Sequence, residues 1–73
     1  MTEYLVVKFP KPRKVLLNDN PLGNTNDLLP VDEGGKYTVS LEKPPYDFMP
    51  PEQEIDLHDT APLNPLEVEF EET

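Results

Sequence analysis

The sequence predicts an all-β protein, a small antiparallel β-sandwich of six to seven short strands. Apolar residues recur at every second position through most of the chain, which is the period of half-buried strands. Ten prolines are scattered over the 73 residues. A proline inside a helix costs about 3 kcal/mol, so we expect no long helix. Clusters of Pro, Gly, Asn and Asp separate the alternating stretches, as turns do between strands.

Six stretches carry the alternation. In chain order they are EYLVVKF, KVLL, DLLPV, KYTVSLE, QEIDLH and LEVEFEE. The residues expected to point inward are Leu5, Val7, Phe9, Val15, Leu17, Tyr37, Val39, Leu41, Ile55, Leu57, Leu66, Val68 and Phe70. Val39, Ile55 and Val68 are therefore expected to face one shared, dry interior. A chain of this length forms a single domain, residues 1–73.

The stretch NDNPLGNT, residues 18–25, allows two interpretations. A calcium loop would need oxygen ligands at its fifth and twelfth positions, but these are Leu22 and Leu29. A tight turn fits better, because Asn and Asp tolerate a positive φ angle and Gly23 adopts one freely. We therefore expect this stretch to be a hairpin turn that joins KVLL to DLLPV.

The charge is strongly acidic and unevenly distributed. The formal net charge of the chain is −9. Residues 32–73 contain twelve acidic and two basic residues, a net charge of −10, whereas residues 1–31 carry +1. Such a surface repels the phosphates of nucleic acid, so we expect no nucleic-acid partner and consider a basic protein more suitable. An acidic surface also keeps a small domain soluble without any partner.

The chain contains no cysteine, and its one histidine is too few for a typical zinc site. We expect no cofactor and no metal ion. No signal peptide and no stretch of transmembrane length is visible, so we expect no membrane association. The expected location is cytoplasmic, or undetermined if the domain is excised from a longer secreted chain. Lysines and prolines near the strand edges favour a monomer or a weak dimer.

Short motifs with a defined spacing run from residue 15 to residue 46. They are Val15-x-Leu17-Asn18-Asp19, Gly23-x-Thr25, Leu29, Gly35-x-Tyr37-x-Val39 and Pro45-Tyr46. This pattern resembles the PEGA domain family. YLVVKFP and LEVEF look like the family's opening and closing strands, so the resemblance covers nearly the whole chain. It implies a prealbumin-like sandwich, similar to carboxypeptidase regulatory-like and transthyretin-like domains. The family has no known catalytic residues, and its domains are usually extracytoplasmic modules of larger proteins.

The sequence departs from the family pattern in several places. The P-x-G-A element is absent, because Pro12 and Arg13 stand where Gly and Ala would. Asp19 replaces a turn glycine, Asn26 replaces a proline, and Pro45 replaces the glycine before the tyrosine. The resemblance thus bears on the fold and transfers no functional residue.

His58 and Asp59 are adjacent and resemble half of an acid–base pair. Catalysis would also need a nucleophile or a second acid inside a pocket, for which a sandwich core of this size has little room. A surface histidine at a strand end is the favoured interpretation. We therefore expect no catalytic residue and no enzymatic activity.

The acidic residues Glu67, Glu69 and Glu71 alternate along the last predicted strand. A rise of roughly 3.3 Å per residue places them on one face at steps of about 6–7 Å. Such a row would bind cations weakly, or imitate the phosphates of nucleic acid. A solvated outer face is the simpler interpretation and the favoured one.

Tyr46, Phe48 and Met49 lie between two pairs of prolines. Prolines reduce the entropy lost when a loop is fixed, and aromatic residues and Met are enriched at interfaces. These three residues, with the three glutamates, are our candidates for contact with a partner. Equally, Tyr46 would pack into the edge of the core and Phe48 would cap the sandwich.

Two functions are consistent with these features. The first is a non-catalytic protein-interaction or accessory module, which binds another protein through a strand edge or through the loop at residues 46–49. The alternative is an acidic inhibitor that mimics nucleic acid and blocks a basic protein.

Overall fold

The computed structural model describes all residues, 1–73, as nine β-strands without a helix. The strands are β1 (Glu3–Lys8), β2 (Lys14–Leu17), β3 (Asn20–Asn24), β4 (Leu28–Val31), β5 (Gly35–Leu41), β6 (Phe48–Met49), β7 (Gln53–Leu57), β8 (Leu66–Glu69) and β9 (Glu71–Glu72). Seven of them have four residues or more, while β6 and β9 have two residues each. The structure has no helix with the length and hydropathy of a membrane span.

The strands form three sheets. One has the order β4-β1-β8, the second has the order β3-β2-β5-β7, and β6 pairs with β9 in a small third sheet. The predicted small all-β sandwich is confirmed. All pairs are antiparallel except β1 and β8, which are parallel. The alternation does not predict this exception, because it specifies which face of a strand is buried and not which strand lies beside it.

Thirteen apolar side chains form the core between the sheets. They are Leu5, Val7, Phe9, Val15, Leu17, Leu29, Val31, Val39, Leu41, Phe48, Leu57, Val68 and Phe70. As expected, Val39 and Val68 lie in one common interior, and Ile55 is partly buried against it. The period-two pattern therefore identifies the buried face of β1, β2, β5, β7 and β8 correctly.

The predicted hairpin from KVLL to DLLPV is wrong. Instead, β2 pairs with β3, which lies inside the NDNPLGNT stretch, and β4 pairs with β1 in the other sheet. The turn between β2 and β3 consists of Asn18 (φ 50°) and Asp19 (φ 66°). Two consecutive positive φ angles are the requirement of a type I′ two-residue hairpin turn, and Asn and Asp are among the residues that tolerate them.

Gly23 does not adopt the positive φ angle expected from the sequence, because it lies within β3. A Cβ atom at this position would lie 2.5 Å from Cδ2 of Leu29 in β4, across the gap between the two sheets. The glycine therefore allows the edge strands of the two sheets to approach each other closely.

The connection from β1 to β2 is fixed by the turn that precedes β4. The backbone N–H of Thr25 donates to the carbonyl of Arg13 (2.8 Å), and the N–H of Arg13 donates to Oγ1 of Thr25 (3.0 Å). The side-chain amide of Asn26 donates to the carbonyl of Phe9 (2.8 Å). These bonds define where Arg13 and Phe9 stand at this end of the sandwich.

We expect the Asn18→Ala substitution to destabilise the protein by about 1–2 kcal/mol, since alanine pays the cost of a positive φ angle and cannot replace the side-chain acceptor. Oδ1 of Asn18 accepts a hydrogen bond from the N–H of Thr38 in β5 (2.9 Å). The matched control is Asp19→Gly, which keeps the turn geometry and should be neutral or slightly stabilising. Urea unfolding followed by circular dichroism measures both. Equal midpoints for Asn18→Ala and the wild type would contradict the described turn.

Candidate interaction surface

Residues 46–49, which we call the contact segment, follow β5 and present their first and last side chains to solvent. Tyr46 is 76% exposed and Met49 is 52% exposed, whereas Phe48 is only 8% exposed. Asp47 is half-buried between them. The segment therefore holds two residues inward and displays two apolar side chains outward.

Asp47 is anchored by Arg13. The guanidinium donates two parallel hydrogen bonds to the carboxylate, from Nη1 to Oδ1 and from Nη2 to Oδ2, each 2.9 Å long. This two-point geometry fixes orientation as well as distance. Arg13 also lies over the ring of Phe9, with 5.5 Å between Cζ and the ring centroid, so an aromatic face supports the guanidinium.

Phe48 is anchored in the core. Its ring packs edge-to-face against Phe70, with centroids 5.8 Å apart, and against Phe9, with centroids 6.4 Å apart. The sequence left open whether Phe48 contacts a partner or caps the sandwich. In the structure it caps the sandwich, and its ring is not available to a partner. Tyr46 does the opposite, because its side chain projects into solvent and does not pack into the core edge.

The end of the chain closes over the contact segment. Phe48 and Met49 pair with Glu72 and Glu71 in the β6–β9 sheet, and the N–H of Thr73 donates to the carbonyl of Asp47 (2.9 Å). Lys11 connects the two parts electrostatically. Its ammonium forms an ion pair with Glu72 and lies 3.6 Å from Oδ2 of Asp47. The hydrogen bond to Glu72 and the charge of that carboxylate raise the pKa of Lys11.

A shallow hollow of about 330 Å³ adjoins Met49. We call it the Met49 hollow. The residues that line it are Met49, Pro50, Gln53, Glu69 and Glu71. The side-chain amide of Gln53 donates to the carbonyl of Glu69 (2.7 Å), which holds the start of β7 against the end of β8. An exposed apolar side chain thus lies beside two carboxylates.

The row of three glutamates is not electrically uniform. Lys8 forms an ion pair with Glu67, with 2.5 Å between Nζ and Oε1, and this hydrogen bond raises the pKa of Lys8. Glu69 and Glu71 form no ion pair. The two glutamates that line the Met49 hollow therefore have no direct ion-pair partner, whereas Glu67 has one.

His58 lies on the exposed loop after β7. Its Nδ1 is 3.3 Å from Oδ1 of Asp56, and its Nε2 is 3.9 Å from Oδ2 of Asp59. All three side chains are largely exposed, and neither His58 nor Asp59 lines a surface hollow. No group of three or more His, Asp or Glu side chains is arranged to hold a metal ion.

One buried carboxylate was not among the residues singled out from the sequence. Glu3 in β1 accepts hydrogen bonds from the backbone N–H of Thr60 (2.9 Å) and from its hydroxyl (2.7 Å). The hydroxyl of Thr60 in turn accepts from the N–H of Tyr4 (2.7 Å). These hydrogen bonds from Thr60 hold the pKa of Glu3 below its ordinary value, and the bond from the backbone N–H has the larger effect. A glutamate at an inward-facing strand position is the signal that would have found it.

The comparisons with known proteins add no relative. No protein-family model, no curated protein and no solved structure matches this chain. The resemblance to PEGA domains therefore stays a prediction.

We expect the Arg13–Asp47 pair to make the stability of the protein sensitive to acid. The hydrogen bonds from Arg13 hold the pKa of Asp47 below its ordinary value. An unfolded chain therefore binds a proton at this residue from about pH 3.9, before the folded protein does. The stabilisation is present above that pH and is lost as the pH falls through the lower, folded pKa.

Urea unfolding of the wild type and of Asp47→Asn tests this expectation. At neutral pH the variant should be clearly less stable, and the difference should shrink as the pH is lowered below the ordinary aspartate pKa, because the wild type then progressively loses the contribution of its carboxylate. Asp27→Asn serves as the control, because it removes an exposed carboxylate that has no ion pair. A difference for Asp47→Asn that is the same at neutral and at acidic pH would exclude the ion pair as its cause.

Proposed function

We propose that this protein is a non-catalytic interaction module that binds a protein partner through the contact segment and the Met49 hollow. The observation that supports this function best is that the two anchored residues in the middle of the segment hold an exposed apolar residue on either side. Asp47 and Phe48 are fixed by Arg13 and by the aromatic core, and this fixes Tyr46 and Met49 in exposed positions. Exposed apolar side chains held by a rigid support are typical of binding surfaces.

Rigidity matters for the energetics of such a contact. A partner that binds a flexible loop must also pay for ordering it, at about 0.5–1.5 kcal/mol for each immobilised side chain. Here the loop backbone is already held by the β6–β9 pairing and by the two-point ion pair. Tyrosine and methionine then supply large contact areas, and tyrosine adds a hydroxyl for hydrogen bonding.

The charge around the segment defines the partner. A specific interface buries about 800 Å² on each side, so Tyr46 and Met49 would form only its centre. The adjoining Glu69 and Glu71 form no ion pair, and the whole chain carries a net charge of −9. A partner with a basic patch beside an apolar one would satisfy both parts of the surface.

The double substitution Tyr46→Ala/Met49→Ala should weaken capture of a partner by at least about tenfold, because central apolar anchors dominate binding energy. The fold should survive, since both side chains are exposed and substitutions at such positions usually change stability by about 0.5 kcal/mol or less. Immobilised wild-type and variant proteins are compared by affinity capture from lysate, with mass spectrometry identifying each captured protein.

The matched control is Leu63→Ala, because Leu63 is an apolar side chain that is 98% exposed in the turn at residues 61–64. A partner lost by the double variant and kept by Leu63→Ala would support the contact segment. A partner that both variants retain equally would exclude it. Substitution of Phe48 is unsuitable for this test, because removing a buried ring costs about 3–5 kcal/mol of folding stability.

The alternative function is an acidic inhibitor that mimics nucleic acid. It is supported by the composition of the chain, which has fifteen acidic residues and only six basic ones. Three of the six basic residues, Lys8, Lys11 and Arg13, form ion pairs with acids, so most of the acidic groups have no cation nearby. A mimic would depend mainly on the spacing of several carboxylates, whereas the first proposal depends mainly on two apolar residues, with the carboxylates beside them in a supporting role.

Substitution of Glu69→Gln/Glu71→Gln separates the two functions. For a mimic, these changes should weaken binding to a basic partner strongly, and binding should fall steeply as salt is added. For the interaction module, Tyr46→Ala/Met49→Ala should have the larger effect. Binding that is insensitive to salt and unchanged by the glutamine pair would rule out mimicry.

A further inference from the structure

A second surface feature lies on the side of the sandwich where β3 and β4, the edge strands of the two sheets, come together. It is an open groove of about 590 Å³, which we call the end groove. Its apolar lining consists of Leu17, Leu22, Val31 and Tyr37. We propose that the end groove binds the apolar side chain of a basic peptide segment of a protein partner. This site is distinct from the contact segment, because the two share no residue.

Two of the four apolar side chains of the groove remain partly accessible. Leu17 and Val31 belong to the core cluster, and they form the base of the groove. Leu22 and Tyr37 are only partly buried and pack against that cluster as its walls. A side chain that entered the groove would therefore continue the hydrophobic core outward and would remove additional apolar surface from water.

The rim carries negative charge. Asp32 and Glu33 line the groove, and neither forms an ion pair with a lysine or an arginine. No basic residue lines the groove at all. An apolar lining beside two free carboxylates is complementary to an apolar side chain with a lysine or arginine next to it. A second copy of this chain fits poorly, because two molecules with a net charge of −9 repel each other.

The walls are held in place before any ligand arrives. The hydroxyl of Tyr37 donates to the carbonyl of Glu33 (2.6 Å), which fixes the ring against the rim. On the other side, Asn18 is tied to β5 twice, since its N–H donates to the carbonyl of Thr38 (2.8 Å) and its Oδ1 accepts from the N–H of Thr38 (2.9 Å). A preformed groove of this kind loses little conformational entropy on binding.

The edge strands beside the groove are poor templates for an added strand. Pro21 lies in β3 and Pro30 lies in β4, and neither has an N–H group to donate. Backbone pairing with a partner along these edges is therefore disfavoured. Recognition at this end is expected to depend on side chains that enter the groove.

Two capped tripeptides serve as probes in a titration of the full chain, followed by ¹⁵N–¹H correlation spectra. Acetyl-Lys-Leu-Lys-amide should shift the backbone amides around Leu22, Val31 and Tyr37 in a saturable way at millimolar concentration. Acetyl-Lys-Ser-Lys-amide carries the same charge without the apolar side chain, and it should shift them far less. Equal shifts with both probes, or no saturable shift with either, would overturn the proposal.

Charge substitutions then test the rim. Asp32→Asn/Glu33→Gln should weaken binding of the Lys-Leu-Lys probe by about tenfold, as loss of complementary charges does in other complexes. The control Glu52→Gln/Glu54→Gln removes two acidic charges outside the groove and should change binding much less. Equal weakening by both pairs would show attraction to net charge only, and would overturn the proposal.

Two further outcomes would also count against it. Saturable shifts confined to residues 46–49 would assign the probe to the contact segment. Shifts of the groove amides that appear on raising the protein concentration alone would mean that a second copy occupies the groove. Failure of the end groove in these experiments leaves the capture experiment on Tyr46 and Met49 unaffected, because that experiment concerns other residues.

Discussion

The packing of Phe48 between Phe9 and Phe70 is the interaction on which one end of this molecule depends. These are all the phenylalanines of the chain, and they come from the residue after β1, from β6, and from the residue between β8 and β9. A core of this size supplies only a small free energy of folding. Each edge-to-face pair adds about 0.5–1.5 kcal/mol to the stabilisation that comes from burying the surface of the rings. The cluster joins the proline-rich loop and the last strand to the sheets. Arg13, lying over Phe9, is thereby placed where its guanidinium meets Asp47.

Much of the fold could be predicted from the sequence because a strand with one buried face must alternate. The alternation assigned Val15, Val39 and Val68 to the core correctly. It could not predict which strands pair with each other, because the alternation specifies the buried face of a strand and not its neighbour in the sheet. The parallel pairing of β1 with β8 and the pairing of β4 with β1 were missed for this reason. The β3 strand was missed because Pro21 and Gly23 are typical of turns, and only the close approach of Leu29 explains a glycine there.

The candidate surface could be predicted only in part, since its support is made by residues distant in sequence. The proline-flanked loop was identifiable, but the sequence left open whether Tyr46 or Phe48 faces outward. The decision rests on the bond between Arg13 and Asp47, which are 34 positions apart, and on the aromatic cluster. Likewise, nothing local in LEVEFEE distinguishes Glu67 from Glu69. Lys8, brought alongside Glu67 by the parallel pairing, makes that distinction.

The two surfaces lie towards opposite ends of β1, since Val31 pairs with Glu3 at its start and Glu69 pairs with Lys8 at its end. Each combines an apolar centre with carboxylates that form no ion pair, so both proposals call for a partner with a basic segment. Prolines act at both places, because they stiffen the loop around Tyr46 and remove backbone donors from the edges beside the groove. A module built in this way can hold a basic partner at one end and leave the other end free. Two basic segments of one assembly could then be bound by a single small domain, and their separation would be set by the length of the sandwich rather than by a flexible linker.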